Sequence, residues 1–270
     1  MALACRVSHI RRHCLQRSAG VVNLIHRVAL TTIPREAVRR IVVLNPKGGS
    51  GKTTLAVNTA GYFAYRGYQT VLMDRDPQGS STRWLRKRKP GQPPIHGIAT
   101  FEKDSRTTRS WQLRLPEGTE RLVVDTPAAI PAQELPGFVQ DADKIIVPVL
   151  PSDIDLHACS RCIADLLLVA KIKREDNRIG VVANRVRKNT LMYQSLMRFL
   201  DQLRIPIVAT IRDSQNYVRS AELGMSLHEM KSYVVRDDVA QWETLLAWLG
   251  GNPPAAAAQD TPVVAAGGTY

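Results

Sequence analysis

Residues 45–54 concentrate the chemistry of this chain: Asn45-Pro46-Lys47-Gly48-Gly49-Ser50-Gly51-Lys52-Thr53-Thr54. The glycines let successive backbone N–H groups turn inward around phosphate oxygens, because a residue without Cβ adopts the needed conformations at little cost. A helix beginning just after Gly51 would point its positive end at the same anion. Lys52 would then reach the β- and γ-phosphates of a nucleoside triphosphate, and the Thr53 hydroxyl would ligate Mg²⁺. The standard pattern has a glycine where this chain has Pro46, and Lys47 stands inside the loop instead. Two acidic motifs follow, Asp74-Arg75-Asp76-Pro77-Gln78-Gly79 and Asp125-Thr126-Pro127-Ala128. Carboxylates beside a phosphate loop can hold Mg²⁺ through water and orient an attacking water. The same residues also serve as turn and helix-cap chemistry.

Positioning these motifs requires strands that end where they begin. Apolar runs at 41–44, 70–73, 122–124, 145–149, 179–182 and 207–209 are nearly continuous, as strands buried on both faces are. Helical patterns cover 52–66, 154–172, 190–204 and 235–249. This alternation predicts an α/β fold, a doubly wound and mostly parallel sheet with helices on both faces. Ligands then bind beyond the carboxyl ends of the strands, where the three motifs fall.

Composition limits the alternatives. With 44% apolar and 23% charged residues the chain is ordinary globular protein. No apolar run reaches the roughly 18 residues of a transmembrane helix. Four cysteines in 270 residues do not make a disulfide scaffold. The net charge of +13 favours polyanions such as nucleic acid or an anionic membrane. Eight arginines against Glu36 place +7 of it in residues 1–40, a segment with transit-peptide character and a weak apolar stripe, or simply a poorly ordered extension. The reading is therefore a basic extension over 1–40, a nucleotide-binding domain over 41–249, and a flexible Pro/Ala/Gly tail over 250–270.

The motifs resemble the deviant Walker A ATPases, and within them the ParA branch of the ParA/MinD family. KGGSGKTT at 47–54 matches the family signature, LMDRDPQGSS at 72–81 resembles its second motif, and VVDTPA at 123–128 its Walker B. PVLPSDIDLHA at 148–158, VVANRV at 181–186 and IRDSQNYVRSAELG at 211–224 resemble later elements in the same order. The resemblance implies a Mg²⁺-dependent ATP hydrolase with weak intrinsic turnover, in which ATP makes a homodimer. It makes Lys47, Lys52 and Asp76 the catalytic residues, with Lys47 crossing to the partner's phosphates and Asp76 orienting water. Nucleotide contacts fall on Lys47, Gly48, Gly49, Ser50, Gly51, Lys52, Thr53 and Thr54, with Asn184 near adenine, and Mg²⁺ falls to Thr53 and Asp125. It further implies non-specific DNA binding, a ParB-like or other cargo adaptor, and a cytoplasmic, nucleoid-associated bacterial protein. Arg185, Arg187, Arg212 and Arg219 are the candidate DNA contacts, beside a second basic cluster at Arg83, Arg86, Lys87, Arg88 and Lys89.

Two rival readings stand beside this one. A MinD-like membrane ATPase would need an interfacial helix, and the tail lacks the basic and bulky apolar residues for one. An Mrp-like iron–sulfur carrier would use Cys159 and Cys162 across a dimer, although at helical spacing these two sit on one face as buried apolar residues do.

Overall fold

The computed structural model describes residues 38–101 and 115–250. The arm over 1–37 and the tail beyond 250, with their targeting, membrane and flexibility expectations, lie outside the described residues. Among the described residues, strands β1 (Arg39–Val43), β2 (Thr70–Asp74), β3 (Ile95–Ala99), β4 (Arg121–Asp125), β5 (Lys144–Val149), β6 (Ile179–Val186) and β7 (Ile207–Arg212) form one sheet. Its order is β3-β2-β4-β1-β5-β6-β7, and every pairing is parallel. Between and after the strands run α1 (Lys52–Tyr65), α2 (Ser80–Arg86), α3 (Pro136–Val139), α4 (Asp153–Leu168), α5 (Leu191–Leu203), α6 (Gln215–Glu222), α7 (Ser232–Ala240) and α8 (Glu243–Trp248).

The continuous apolar strands follow from burial on both faces. Ile41, Val43, Leu72, Val123 and Ile146 pack with Leu55 and Phe63 of α1, Val235 of α7 and Leu245 of α8. Val42, Val71, Val124, Ile145 and Val147 turn to the other face, against Cys159, Ile163 and Leu166 of α4 and Leu196 and Leu200 of α5. The expected doubly wound α/β architecture is thus the observed one. Register then assembles the site. Val43 of β1 pairs with Asp125 of β4, and Asp125 pairs with Asp74 of β2. Parallel strands end at one edge, so the loop after β1 and both acidic motifs share one crevice.

Some elements differ from the sequence expectation. β3 reads Ile95-His96-Gly97-Ile98-Ala99 and is exposed at His96 and Gly97, because it is an edge strand and lacks a continuous apolar run. At Gly97 the strand passes close to Leu85 of α2, whose Cδ1 would stand 2.7 Å from an added Cβ and have to move aside. The helix expected over 235–249 is two helices, α7 and α8. The chain turns at 241–242 to bury Trp242 completely, and its indole N–H donates to the Tyr217 hydroxyl at 2.9 Å.

A short 3₁₀ turn at Leu227–Glu229 docks on α1 and carries an unpaired imidazole. His228 lies edge-to-face with Tyr62 at 4.8 Å and Trp242 at 6.2 Å, and both of its ring nitrogens are buried without a hydrogen bond. Burial pushes its pKa down to about 4. The unfolded chain takes up this proton near pH 6.5 and the folded chain does not until about pH 4, so stability falls as pH drops through that window. His228→Phe is expected to remove about 2 kcal/mol of the stability lost between about pH 7 and pH 4.5, measured by urea unfolding. An unchanged pH dependence in the variant would refute this.

Candidate nucleotide-binding site

Hydrogen bonds from three residues, Asn45, Ala129 and Asn184, hold the loop in shape. Asn45 donates through Nδ2 to the Pro148 carbonyl of β5 at 2.5 Å, and its Oδ1 accepts from Lys47 N at 2.8 Å. Ala129 N donates to the Pro46 carbonyl at 2.8 Å from the β4 side. At the end of β6, Asn184 donates through Nδ2 to the Ser50 carbonyl at 2.8 Å, while its Oδ1 accepts from Arg185 N at 3.0 Å. Gly49 and Gly51 take left-handed conformations, φ 78° and 94°, and Gly51 is the residue before the first turn of α1. Asn184 therefore closes the loop and lines the cavity beside it. Lys52 is buried, with Nζ donating to the Lys47 carbonyl at 3.1 Å. Burial lowers its pKa, and Asp125 and Asp76 oppose that effect.

The carboxylates divide by environment. Asp125 is wholly buried; its Oδ2 accepts from the Ser81 hydroxyl, the nearby Thr53 hydroxyl favours its ionised form, and its Oδ1 has no partner. Burial pushes its pKa up to about 6. An orphaned carboxylate oxygen beside a threonine hydroxyl and a phosphate loop fits a hydrated Mg²⁺. Asp74 is spent on structure: its Oδ2 accepts from Thr82 N at 2.8 Å and Thr82 Oγ1 at 2.9 Å, and its Oδ1 from Asp76 N at 3.1 Å. Asp76 is half-buried, with Oδ1 accepting from Gln78 N at 2.9 Å.

The partner of Lys47 was not legible in the sequence. Its Nζ pairs with Asp155 Oδ2 at 2.5 Å; the Lys47 side chain is 32% exposed and that of Asp155 only 2%. Ser152, the N-cap of α4, donates its hydroxyl to the same oxygen and accepts from Asp155 N at 3.3 Å, while Asp155 Oδ1 is buried without a partner. An acid three residues after a serine cap reads only as a helix-dipole complement. Its link to Lys47 spans 108 positions.

Next to the loop opens a cavity of about 320 Å³, lined among others by Thr54, Asn184, Arg212, Ser214, Gln215 and Tyr217. It begins at the last residue of the phosphate loop, so it can take the base of a nucleotide whose phosphates sit on 47–53. The candidate DNA contacts separate at this cavity. Arg185, Arg187 and Arg219 are exposed, and Arg187 has only a loose pair with Asp213 at 3.8 Å. Arg212 is bound to Asp238 at 2.6 Å. In the second basic cluster, Arg88 is clamped by Glu229 at 2.6 Å and by the Gly224 and Pro93 carbonyls, and Arg83 holds the Gln78 carbonyl.

Cys159 and Cys162 lie on the buried face of α4, within the core. Burial pushes the Cys159 thiol up to about 12 and the Cys162 thiol higher still, away from the thiolate a cluster needs. Among the described residues no group of three or more His, Cys, Asp or Glu side chains is arranged to hold a metal ion. No helix among them is long and apolar enough to cross a membrane.

The profile of the CobQ/CobB/MinD/ParA nucleotide binding domain matches residues 41–227, more than half of the chain. The chain belongs to that family. Among curated relatives, it is 39% identical over 118 residues to the maintenance of carboxysome distribution protein A of Gloeobacter kilaueensis, covering 44% of this chain and 52% of the relative. The protein of the same name from Halothiobacillus neapolitanus is 26% identical over 194 residues, 70% of this chain and 87% of the relative. The chromosome-partitioning ATPase Soj of Thermus thermophilus is 29% identical, covering 60% and 75%. The matched stretch thus spans about half the length of the first of these relatives and most of the other two. Among solved structures, apo McdA from Cyanothece superposes with a TM-score of 0.62 at 17% identity, covering 79% of this chain and 100% of that one. MinD in the MinC:MinD complex of Aquifex aeolicus gives 0.60 at 18% identity, covering 80% and 96%. At these identities the likeness is one of fold.

In this family member Gly51 is the tightest point of the loop. A Cβ there would stand 2.3 Å from Asn184 Nδ2, in a backbone conformation that L side chains avoid. Gly51→Ala is expected to weaken binding of a fluorescent ATP analogue at least about a hundredfold, by combined strain and lost loop closure. Affinity within threefold of the parent would show that the loop does not hold the phosphates.

Proposed function

We propose that this chain is an ATPase of the ParA type that dimerises on ATP, binds DNA without sequence preference, and positions a cargo until an adaptor triggers hydrolysis. The observation that carries the reading is Lys47, a second cation inside a loop that already has Lys52. It is paired with a buried carboxylate yet a third of its side chain is open. One lysine suffices to grip the terminal phosphates in an ordinary phosphate loop. A second one at the rim supplies the charge needed to bury a triphosphate between two subunits, one lysine from each side. Ile154, the chain neighbour of Asp155 on α4, and Leu191 in the first turn of α5 are 72% and 79% exposed, large apolar side chains suited to a second copy. The relatives' names, carboxysome distribution and chromosome partition, point to the same class of work. Candidate cargoes are plasmids, chromosome origins and protein assemblies.

In this mechanism the backbone N–H groups of 48–53 and the Lys52 ammonium bind the phosphates, with charge stabilisation concentrated in a site of low dielectric. Mg²⁺, when bound, neutralises phosphate charge, and Thr53 and Asp125 are the residues that would hold it. Arriving phosphate competes with Asp155 for Lys47, which frees the lysine to reach the partner's nucleotide. Asp76 orients the attacking water. Arg185, Arg187 and Arg219 offer phosphate contacts to a duplex, while Arg212 acts within its own subunit. Such contacts are individually weak, so a dimer that doubles them switches binding on.

The test is binding to random-sequence duplex DNA at one near-physiological salt concentration with Mg²⁺. The parent is expected to bind with ATP at least about tenfold more tightly than with ADP, and Asp76→Ala to stay on DNA while its turnover is lost. Equal binding with ATP and ADP would reduce the effect to simple charge attraction and defeat the proposal.

A further inference from the structure

Beneath the base cavity lies a fully buried carboxylate that neither phosphate binding nor hydrolysis uses. Asp238, on α7, is 0% exposed. It accepts from Arg212 Nε at 2.6 Å, from Asn216 Nδ2 at 2.6 Å and from Ser214 Oγ at 3.0 Å. One turn further along, Gln241 Oε1 accepts from Arg212 N at 2.8 Å. Asn216 also donates to the Val234 carbonyl at 3.1 Å, and Ser214 caps α6 through Asn216 N at 3.2 Å. α7 and the turn that ends it thus anchor the segment 212–216, beside the β6 pairing at Arg212 and the loose Arg187–Asp213 pair. That segment is one wall of the cavity beside the phosphate loop, through Arg212, Asp213, Ser214 and Gln215. The Tyr217 hydroxyl, at the same wall, is held by Trp242.

We infer that Asp238 is a positioning residue for the nucleotide base: by bonding Arg212, Ser214 and Asn216 together it fixes the backbone donors and acceptors that the cavity wall presents to a purine. This rests on reading the loop and its cavity as a nucleotide site. Three features favour a positioning role over plain fold stability. The hydrogen bonds to the carboxylate all come from the segment 212–216, which starts at the last residue of β7 and forms part of the cavity wall. Burial alone would raise its pKa, yet the hydrogen bonds from Arg212, Asn216 and Ser214 outweigh burial and keep it low, so the ionised form is the one built in. The phosphate loop is held by other residues, Asn45 and Asn184, so Asp238 can act on the base without acting on the phosphates.

A base read by fixed backbone groups is discriminated by whether each polar group finds its complement, and a wall that relaxes loses that discrimination. The isosteric Asp238→Asn keeps volume and removes the charge that gathers the three donors. The experiment measures competition by ATP, GTP and inorganic tripolyphosphate against a ribose-labelled ATP, on the full chain with Mg²⁺. Asp238→Asn is expected to weaken ATP about tenfold, to collapse the ATP-over-GTP preference by a similar factor, and to leave tripolyphosphate within about twofold. Should that variant fail to fold by circular dichroism, Gln241→Ala removes only the acceptor of Arg212 N and is expected to give the same pattern at about threefold. An unchanged ATP-over-GTP ratio, or equal weakening of ATP and tripolyphosphate, overturns the inference. A parent chain that binds ATP no better than tripolyphosphate also overturns it, since the cavity then reads no base. A parent that binds none of the three instead fails the nucleotide reading itself.

Discussion

Asp125 sits at the same height as Val43 on one side and Asp74 on the other because β4 lies between β1 and β2 in parallel register. That placement puts a carboxylate in a dry site, directly behind the loop that follows β1. Dryness makes the carboxylate costly to ionise, which is why its pKa rises, and it also makes any cation brought to it strongly bound. Lys52 is subject to the same burial and would lose its proton more readily were Asp125 and Asp76 not nearby. The charges at the crevice are therefore mutually supporting. A shift of β4 by one residue would turn Asp125 into the opposite face and dismantle the arrangement.

Lys47 adds a second layer to this balance. Its pairing with Asp155 removes one positive charge from the mouth of the site and satisfies a carboxylate that is otherwise buried. The Ser152 hydroxyl donates to the same Asp155 oxygen, so that buried carboxylate has a second partner besides the lysine. Ile154, the chain neighbour of Asp155, is exposed.

The loop, the sheet and the order of motifs were legible because each rests on local chemistry. Glycines at required left-handed turns, acids at strand ends and doubly buried strands all leave their mark within a few residues. What was not legible depends on contacts distant in sequence. Asp155 looks like an ordinary first-turn acid until Lys47 is brought to it. Asp238 looks like a surface charge beside Asp237, in a stretch whose apolar period suggested one long helix. Only the turn that buries Trp242 separates α7 from α8 and aims Asp238 under the 212–216 segment. Arg212 and Arg88 read as members of basic clusters, although each is taken up by one buried acid. Charge counting sees their sign but not their partners.

The most direct measurement is the mass of the full chain in solution, by light scattering on a size-exclusion column, with Mg²⁺ and either ATP or ADP. The parent should double in mass with ATP and stay single with ADP. Lys47→Ala should still bind ATP through Lys52 and remain single with either nucleotide. A parent that stays single at saturating ATP, or a Lys47→Ala variant that doubles as the parent does, would contradict the role of Lys47 as the cation that joins two subunits across their nucleotides.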